Sequence, residues 1–291
     1  MTTKHLVAHI RLLDDPDQKI YRLVKNSIIS KGESVISELE EAKTNTQVGI
    51  VHYRIEDLIH EINFNRIFNE IENWAKTSDK SWFSILFLIS KFYNPDIDEQ
   101  SLERQLNLIK NDIWIELNDD LTALEKVKVF NKIFYGKYAF GKYKTEVQYL
   151  SSFFLSELLV TKKGNDLSLA LLYLVLAELL DLPIQAVDLP MNMILAYQAD
   201  EKILAIDEFD KQVLFYINPI NKGVVFGTDI IDDFVKKNDL EQDFNYYNPT
   251  SKLNLVIRYL DEIIYAVKPS GNMQQVEELT KLKTLMLDTN I

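Results

Sequence analysis

The 291-residue chain has no cysteine, and its four histidines, His5, His9, His52 and His60, all lie in the first 60 residues. No thiolate nucleophile, disulfide or thiolate metal site can form. Any site built after residue 60 must also work without imidazole as base, electrophile or ligand. Within those first 60 residues, His52, Glu56 and His60 are spaced by four and share one helical face. Their order differs from the HExxH zinc pattern, so they read as a solvated face and no metal is expected. Asp14, Asp15 and Asp17 lack the glycine and distal glutamate of a calcium loop and read as helix caps. Tyr246-Tyr247-Asn248-Pro249 reads as packing at a helix entry, with peptide contact as the alternative.

The elements that would position such residues are mostly helices. The chain is 47% hydrophobic and 26% charged, with only 8 Gly and 7 Pro to punctuate it. That composition excludes disorder and favours long helices over many short strands. Apolar residues recur at three and four over 4–12, 17–30, from Glu33 onward, and over 48–60, 64–75, 80–92, 99–111 and 120–134. Stacked helix pairs fit this stretch, although no fixed-period repeat is visible. After about residue 136 a Tyr- and Lys-rich linker, Gly136 to Lys144, leads to a helix near 149–160. An almost wholly apolar helix, LSLALLYLVLAELL, follows Lys162-Lys163-Gly164-Asn165-Asp166 and reads as the buried centre of its domain. Three β-like runs come next, Ile184–Leu189, Met193–Tyr197 and Val213–Ile217, then a helix capped by Thr228 and two amphipathic helices near 250–268 and 273–287. The expected fold is mainly helical α+β: a helical domain over 1–140, a core over 141–240 and a helical hairpin over 241–291.

Lys163-Gly164-Asn165-Asp166-Leu167-Ser168-Leu169, Glu178-Leu179-Leu180-Asp181-Leu182-Pro183, Leu189-Pro190-Met191-Asn192 and Ile217-Asn218-Pro219-Ile220-Asn221-Lys222-Gly223 occur in that order. This series resembles the bacterial transglutaminase-like family of the SirB type, which runs "KGNC", "LSLSLLYL", "AERLGLP", "LPGHFLV" and "IDPFNGG". The likeness is specific over about 145–230 and weaker through Leu12 to Asp17, Gly32 and Ala123 to Val127. It implies a papain-like core whose active members use Cys at the start of the central helix, His on the next strand and Asp on a further strand. Those positions fall here on Asp166, Asn192 and Asn218, while Gly164, Pro183, Pro190, Pro219 and Gly223 of the frame remain.

The resemblance therefore implies a degenerate member, a pseudoenzyme acting by protein or peptide binding. Asp166 suits a helix start as an N-cap, and two amides cannot take and return a proton near neutral pH. Ser168 has no imidazole to activate it, which leaves Lys162 or Lys163 as remote alternatives. The competing reading is a hydrolase or transferase that uses Asp166 in the same cleft. No cofactor is expected. A net charge of −12 disfavours nucleic acid. The longest apolar run, Leu169 to Ala177, is far short of the ~20 residues that span a bilayer. With no signal-peptide pattern at the start, the expected location is the cytoplasm.

Overall fold

The computed structural model describes residues 3–46, 49–143, 150–199 and 213–289. Val48, Lys144 and Tyr149, at the edges of expected elements, lie outside them, as does the His5 side chain. The chain divides into two compact units, Met1–Asn73 and Trp74–Ile291.

The first unit holds α1 (Thr3–Arg11), α2 (Gln18–Ile29), α3 (Ile36–Asn45) and most of α4 (Gly49–Lys76). Its core takes up much of the periodic pattern, with Leu13, Ile28, Leu39, Ile55 and Leu58 fully buried, but Ile20 and Leu23, expected on the apolar face of α2, are exposed. Asp17 caps α2 by accepting from Lys19 N at 2.8 Å. The guanidinium of Arg54 satisfies the carbonyls of Leu13 and Asp15 and lies 4.1 Å from the Tyr21 ring. The two helices expected over 48–60 and 64–75 are one, because nothing in Glu61-Ile62-Asn63 breaks the ladder and Ile62 is buried in register.

The second unit contains α5 (Trp82–Tyr93), α6 (Glu99–Trp114), α7 (Ala123–Asn131), α8 (Leu155–Thr161) and α9 (Asp166–Leu179). After the sheet strands come α10 (Thr228–Lys237), α11 (Lys252–Val267) and α12 (Met273–Thr289). Thr122 and Glu125 form a reciprocal capping box that starts α7. A two-residue parallel pair, β1 (Gly141–Lys142) with β2 (Lys163–Gly164), sits just before α9. The main sheet is an antiparallel meander of β3 (Ile184–Leu189), β4 (Asn192–Gln198), β5 (Val213–Asn218) and β6 (Val224–Phe226). The chain is thus a mainly helical α+β protein. The fourth strand was not expected, since three residues are too few to show alternation.

Every residue of α9 from Leu167 to Ala177 is buried. Each fully buried Leu contributes about 1.5–3 kcal/mol relative to exposure, so α9 anchors the second unit. It packs against α5, α6 and α8 on one side and β3 and β4 on the other. Tyr173 on α9 donates to Asn131 Oδ1 at 3.1 Å, and Asn131 Nδ2 donates to Gly223 O at 2.8 Å. Gly223, at φ 69°, turns β5 into β6 where any Cβ would fall 2.1 Å from Asn131 Oδ1.

Candidate functional site

The start of α9 is built by a reciprocal cap. Asn165 Oδ1 accepts from Ser168 N at 2.8 Å, and Asn165 N donates to Ser168 Oγ at 3.0 Å. The cap is therefore Asn165, and Asp166 occupies the first helical position, one residue later than expected. An extended backbone at Asn165 (φ −88°, ψ 179°) suits the cap, whereas Asp166 already has a helical place. Ser168 is 3% exposed, and its hydroxyl also donates to Asn165 O at 3.3 Å. Lys162 Nζ donates to Leu159 O and lies 4.9 Å from the Phe140 ring; Lys163 Nζ donates to Ala139 O at 3.1 Å. Burial lowers the Lys162 pKa, but its ammonium is directed to that carbonyl and ring.

Asp166 opens onto a cleft of about 1160 Å³. Lys142 Nζ lies 3.1 Å from its Oδ1 and donates to Oδ2 at 3.5 Å. Three further walls complete the cleft. Asp188 and Met193, paired across β3 and β4, form one. Asn254, Ile257, Arg258, Asp261, Glu262 and Tyr265 form another, a stripe at three- and four-residue spacing along α11. The third is the segment from Asp243 to Ser251.

Each wall is held from behind. Tyr259 on α11 donates to Phe153 O at 2.8 Å, and Arg258 pairs with Asp188 and, at 3.3 Å, with Glu262. The segment before α11 is tied to the sheet where Thr250 N donates to Ala186 O at 2.8 Å and Tyr216 donates to Tyr247 O at 2.7 Å. Tyr247 in turn donates to Asp232 Oδ1 at 2.6 Å, and that bond, helped by burial, pushes its pKa up to about 12. Tyr246, Asn248 and Pro249, read from sequence as helix-entry packing, therefore line the cleft.

The cleft is acidic. Among the described residues, Asp166, Asp188, Asp243, Asp261 and Glu262 line it against Arg258 alone. Burial pushes the Glu262 carboxyl above its ordinary value; Arg258 opposes the shift, and Asp166 and Asp188 add to it. Asn165 also lines the cleft, is 7% exposed, and has no hydrogen-bond partner for Nδ2.

Asn192 and Asn218 are placed differently. Asn192 begins β4 opposite Leu189, closing a turn in which Met191 has φ 61°. By strand alternation it shares a face with Ile194 and Ala196, which pack with Ile231 and Val235 of α10. Its neighbour Met193 is the β4 residue that lines the cleft. Asn218 ends β5, and its Oδ1 accepts from Ile220 N at 3.1 Å and Asn221 N at 3.0 Å, an Asx turn. Of Asp166, Ser168, Asn192 and Asn218, only Asp166 lines the cleft. In the first unit, His52 Nε2 lies 3.4 Å from Glu56 Oε1, whose carboxylate is 3.9 Å from Lys43. Among the described residues no group of three or more His, Asp or Glu side chains could hold a metal ion, and no helix is long and apolar enough to cross a membrane.

A family model described as the transglutaminase-like superfamily matches residues 100–261, which include α9, the sheet and most of the cleft stripe on α11. A UPF0162 protein of Pasteurella multocida is 28% identical to this chain over 99 residues. That stretch covers 34% of this chain and 38% of the relative, so the matched region spans well under half of that protein. No solved structure matches the chain.

Proposed function

The chain belongs to the transglutaminase-like superfamily, and from that premise we propose that it is a SirB-type member which binds a protein or peptide in the cleft at the start of α9 and performs no triad chemistry. The observation that carries this reading is the state of the groups at that helix start. Ser168 Oγ serves the cap, and Asp166 is held by Lys142. Acyl transfer needs a nucleophile and a group that takes its proton and returns it. With no cysteine in the chain and no histidine after residue 60, the cleft has neither a thiolate nor an imidazole to offer.

What the cleft does offer is a recognition surface. Its volume exceeds the roughly 300–1,000 Å³ typical of small-ligand pockets, and aromatic, Met, Asn and acidic side chains are interleaved around it. The excess of acidic residues supports a partner other than nucleic acid, and a cytoplasmic location belongs to the same proposal.

The test uses a random peptide library selected on the wild-type chain, with binders remeasured on Asn254→Trp, which puts an indole into the cleft from an exposed position on α11. Selected peptides are expected to lose at least about tenfold in affinity on a variant whose circular dichroism is unchanged. Binders that ignore the substitution, or a selection that yields none, would overturn the reading. Asn192→Arg is not a substitute, because Asn192 is absent from the cleft walls.

A further inference from the structure

We propose that the occupant of this cleft is a lysine- or arginine-bearing peptide segment, with a backbone carbonyl received by Asn165 Nδ2 and cationic side chains received by the cleft carboxylates. This rests on the binding reading above and adds the chemistry of the partner.

Two independent features meet in one place. The first is charge. Among the described residues five carboxylates line the cleft, and the one cation lining it, Arg258, is already shared between Asp188 and Glu262. Asp166 and Asp261 have lysine partners, Lys142 and Lys283, which are not among the lining residues. The Asp243 carboxylate accepts from the backbone N–H of Asn245 at 2.8 Å. Charge at Asp243 and Glu262 is therefore left undercompensated, and a cation entering between the walls would offset it.

The second is the amide of Asn165. Its Oδ1 is used by the cap, while Nδ2 is a donor with no partner in a side chain 93% withdrawn from solvent, given 7% exposure. A buried unmade hydrogen bond costs about 1–3 kcal/mol, so a carbonyl oxygen that reaches Nδ2 recovers that cost. A free amine or metal ion would answer the carboxylates and leave Nδ2 unpaired. A peptide answers both.

The rim also favours a polypeptide. Met191 is 66% exposed and Tyr265 77% exposed at the cleft edge, apolar area suited to the aliphatic stems of lysine and arginine and to their neighbours. An anionic membrane or nucleic acid would meet the carboxylates as like charge.

The experiment compares two fluorescein-labelled short peptides by anisotropy, one bearing lysines and a twin with glutamine in their place. The whole chain is used at low and physiological salt. On wild type the lysine peptide is expected to bind at least about tenfold tighter than its twin. The pair Asp243→Asn and Glu262→Gln keeps shape and one acceptor oxygen per side chain while removing the charge, and should erase most of that preference. Asp119→Asn with Asp120→Asn, in an exposed loop away from the cleft, should preserve it. Asn165→Ser, which retains a cap, should weaken both peptides alike.

Equal binding of the twins overturns the inference. So does a loss of preference as large in the loop variant as in the cleft variant, which would mean attraction by overall charge alone. If the glutamine twin binds wild type equally well and is lost on Asn254→Trp, the charge inference fails while the binding reading stands. If neither twin, nor any selected peptide, responds to Asn254→Trp, both fail.

Discussion

The two ends of α9 belong to one helix and are finished in opposite ways. At its C-terminal end Glu178 accepts from Trp82 N at 2.9 Å and pairs with Lys252, whose ammonium also donates to Lys80 O and lies 5.4 Å from the Trp82 ring. The last turn closes with Leu182 N donating to Ala177 O at 2.9 Å. At its N-terminal end Asn165 Nδ2 is a buried atom without a hydrogen bond and Asp166 Oδ1 meets the ammonium of Lys142 at 3.1 Å, beside a cleft with more carboxylates than cations among its described lining residues. A native interior satisfies nearly all of its polar groups. Polar groups at the closed end join α9 to α5 and α11; at the open end the amide nitrogen of Asn165 is left without a partner.

The largest expected effect is at the closed end. Glu178→Ala orphans the Trp82 N–H and the Lys252 ammonium, and should lower stability by about 1–3 kcal/mol in urea unfolding, since the pair is only partly buried. A change below about 0.5 kcal/mol would make the two ends alike. At the open end, Asn165→Ala should cost about 1 kcal/mol by removing the cap, whereas Asn165→Ser should cost only a few tenths while still removing the free donor. A large stability loss in Asn165→Ser would mean that Nδ2 has a structural use. The smallest effect is the pH dependence of Glu262. Its carboxyl lies above the ordinary value because burial outweighs Arg258, so the folded chain holds that proton more tightly than the unfolded one. Its contribution to stability therefore falls as pH rises from the ordinary glutamate range through the raised value, then levels off. Glu262→Gln should gain stability relative to wild type as pH rises from the ordinary glutamate range, as read by the thermal midpoint at each pH. A trend of the opposite sign would mean that Arg258 dominates the site.

The closed end was the more legible in sequence. The apolar run of α9, its stop at Asp181-Leu182-Pro183 and the periodic face of α11 are local patterns, and the run locates the buried helix correctly. The open end depends on longer-range geometry. Asn165-x-x-Ser168 is a local capping signal, and it was obscured because adjacent Asp166 is an equally good cap by residue type. Spacing placed Asn192 where the family motif has its histidine, but only the strand register shows that Met193 is the β4 residue in the cleft. The polar stripe on α11 is visible in sequence, yet helical period alone cannot distinguish a solvated face from a cleft wall. Nor does local sequence reveal that Tyr246 to Pro249 is tied back to β3, since that depends on the Thr250 N–H reaching Ala186 O.

The most direct test of a binding rather than a chemical end is a turnover measurement. The whole wild-type chain would be assayed for hydrolysis of, and amine transfer to, glutaminyl and thioester peptides, beside Asp166→Ala, with both samples shown to be folded by circular dichroism. The expected result is a rate equal to that of buffer for both proteins. Turnover by wild type that disappears in Asp166→Ala would contradict it, and would make the start of α9 the catalytic end of an enzyme.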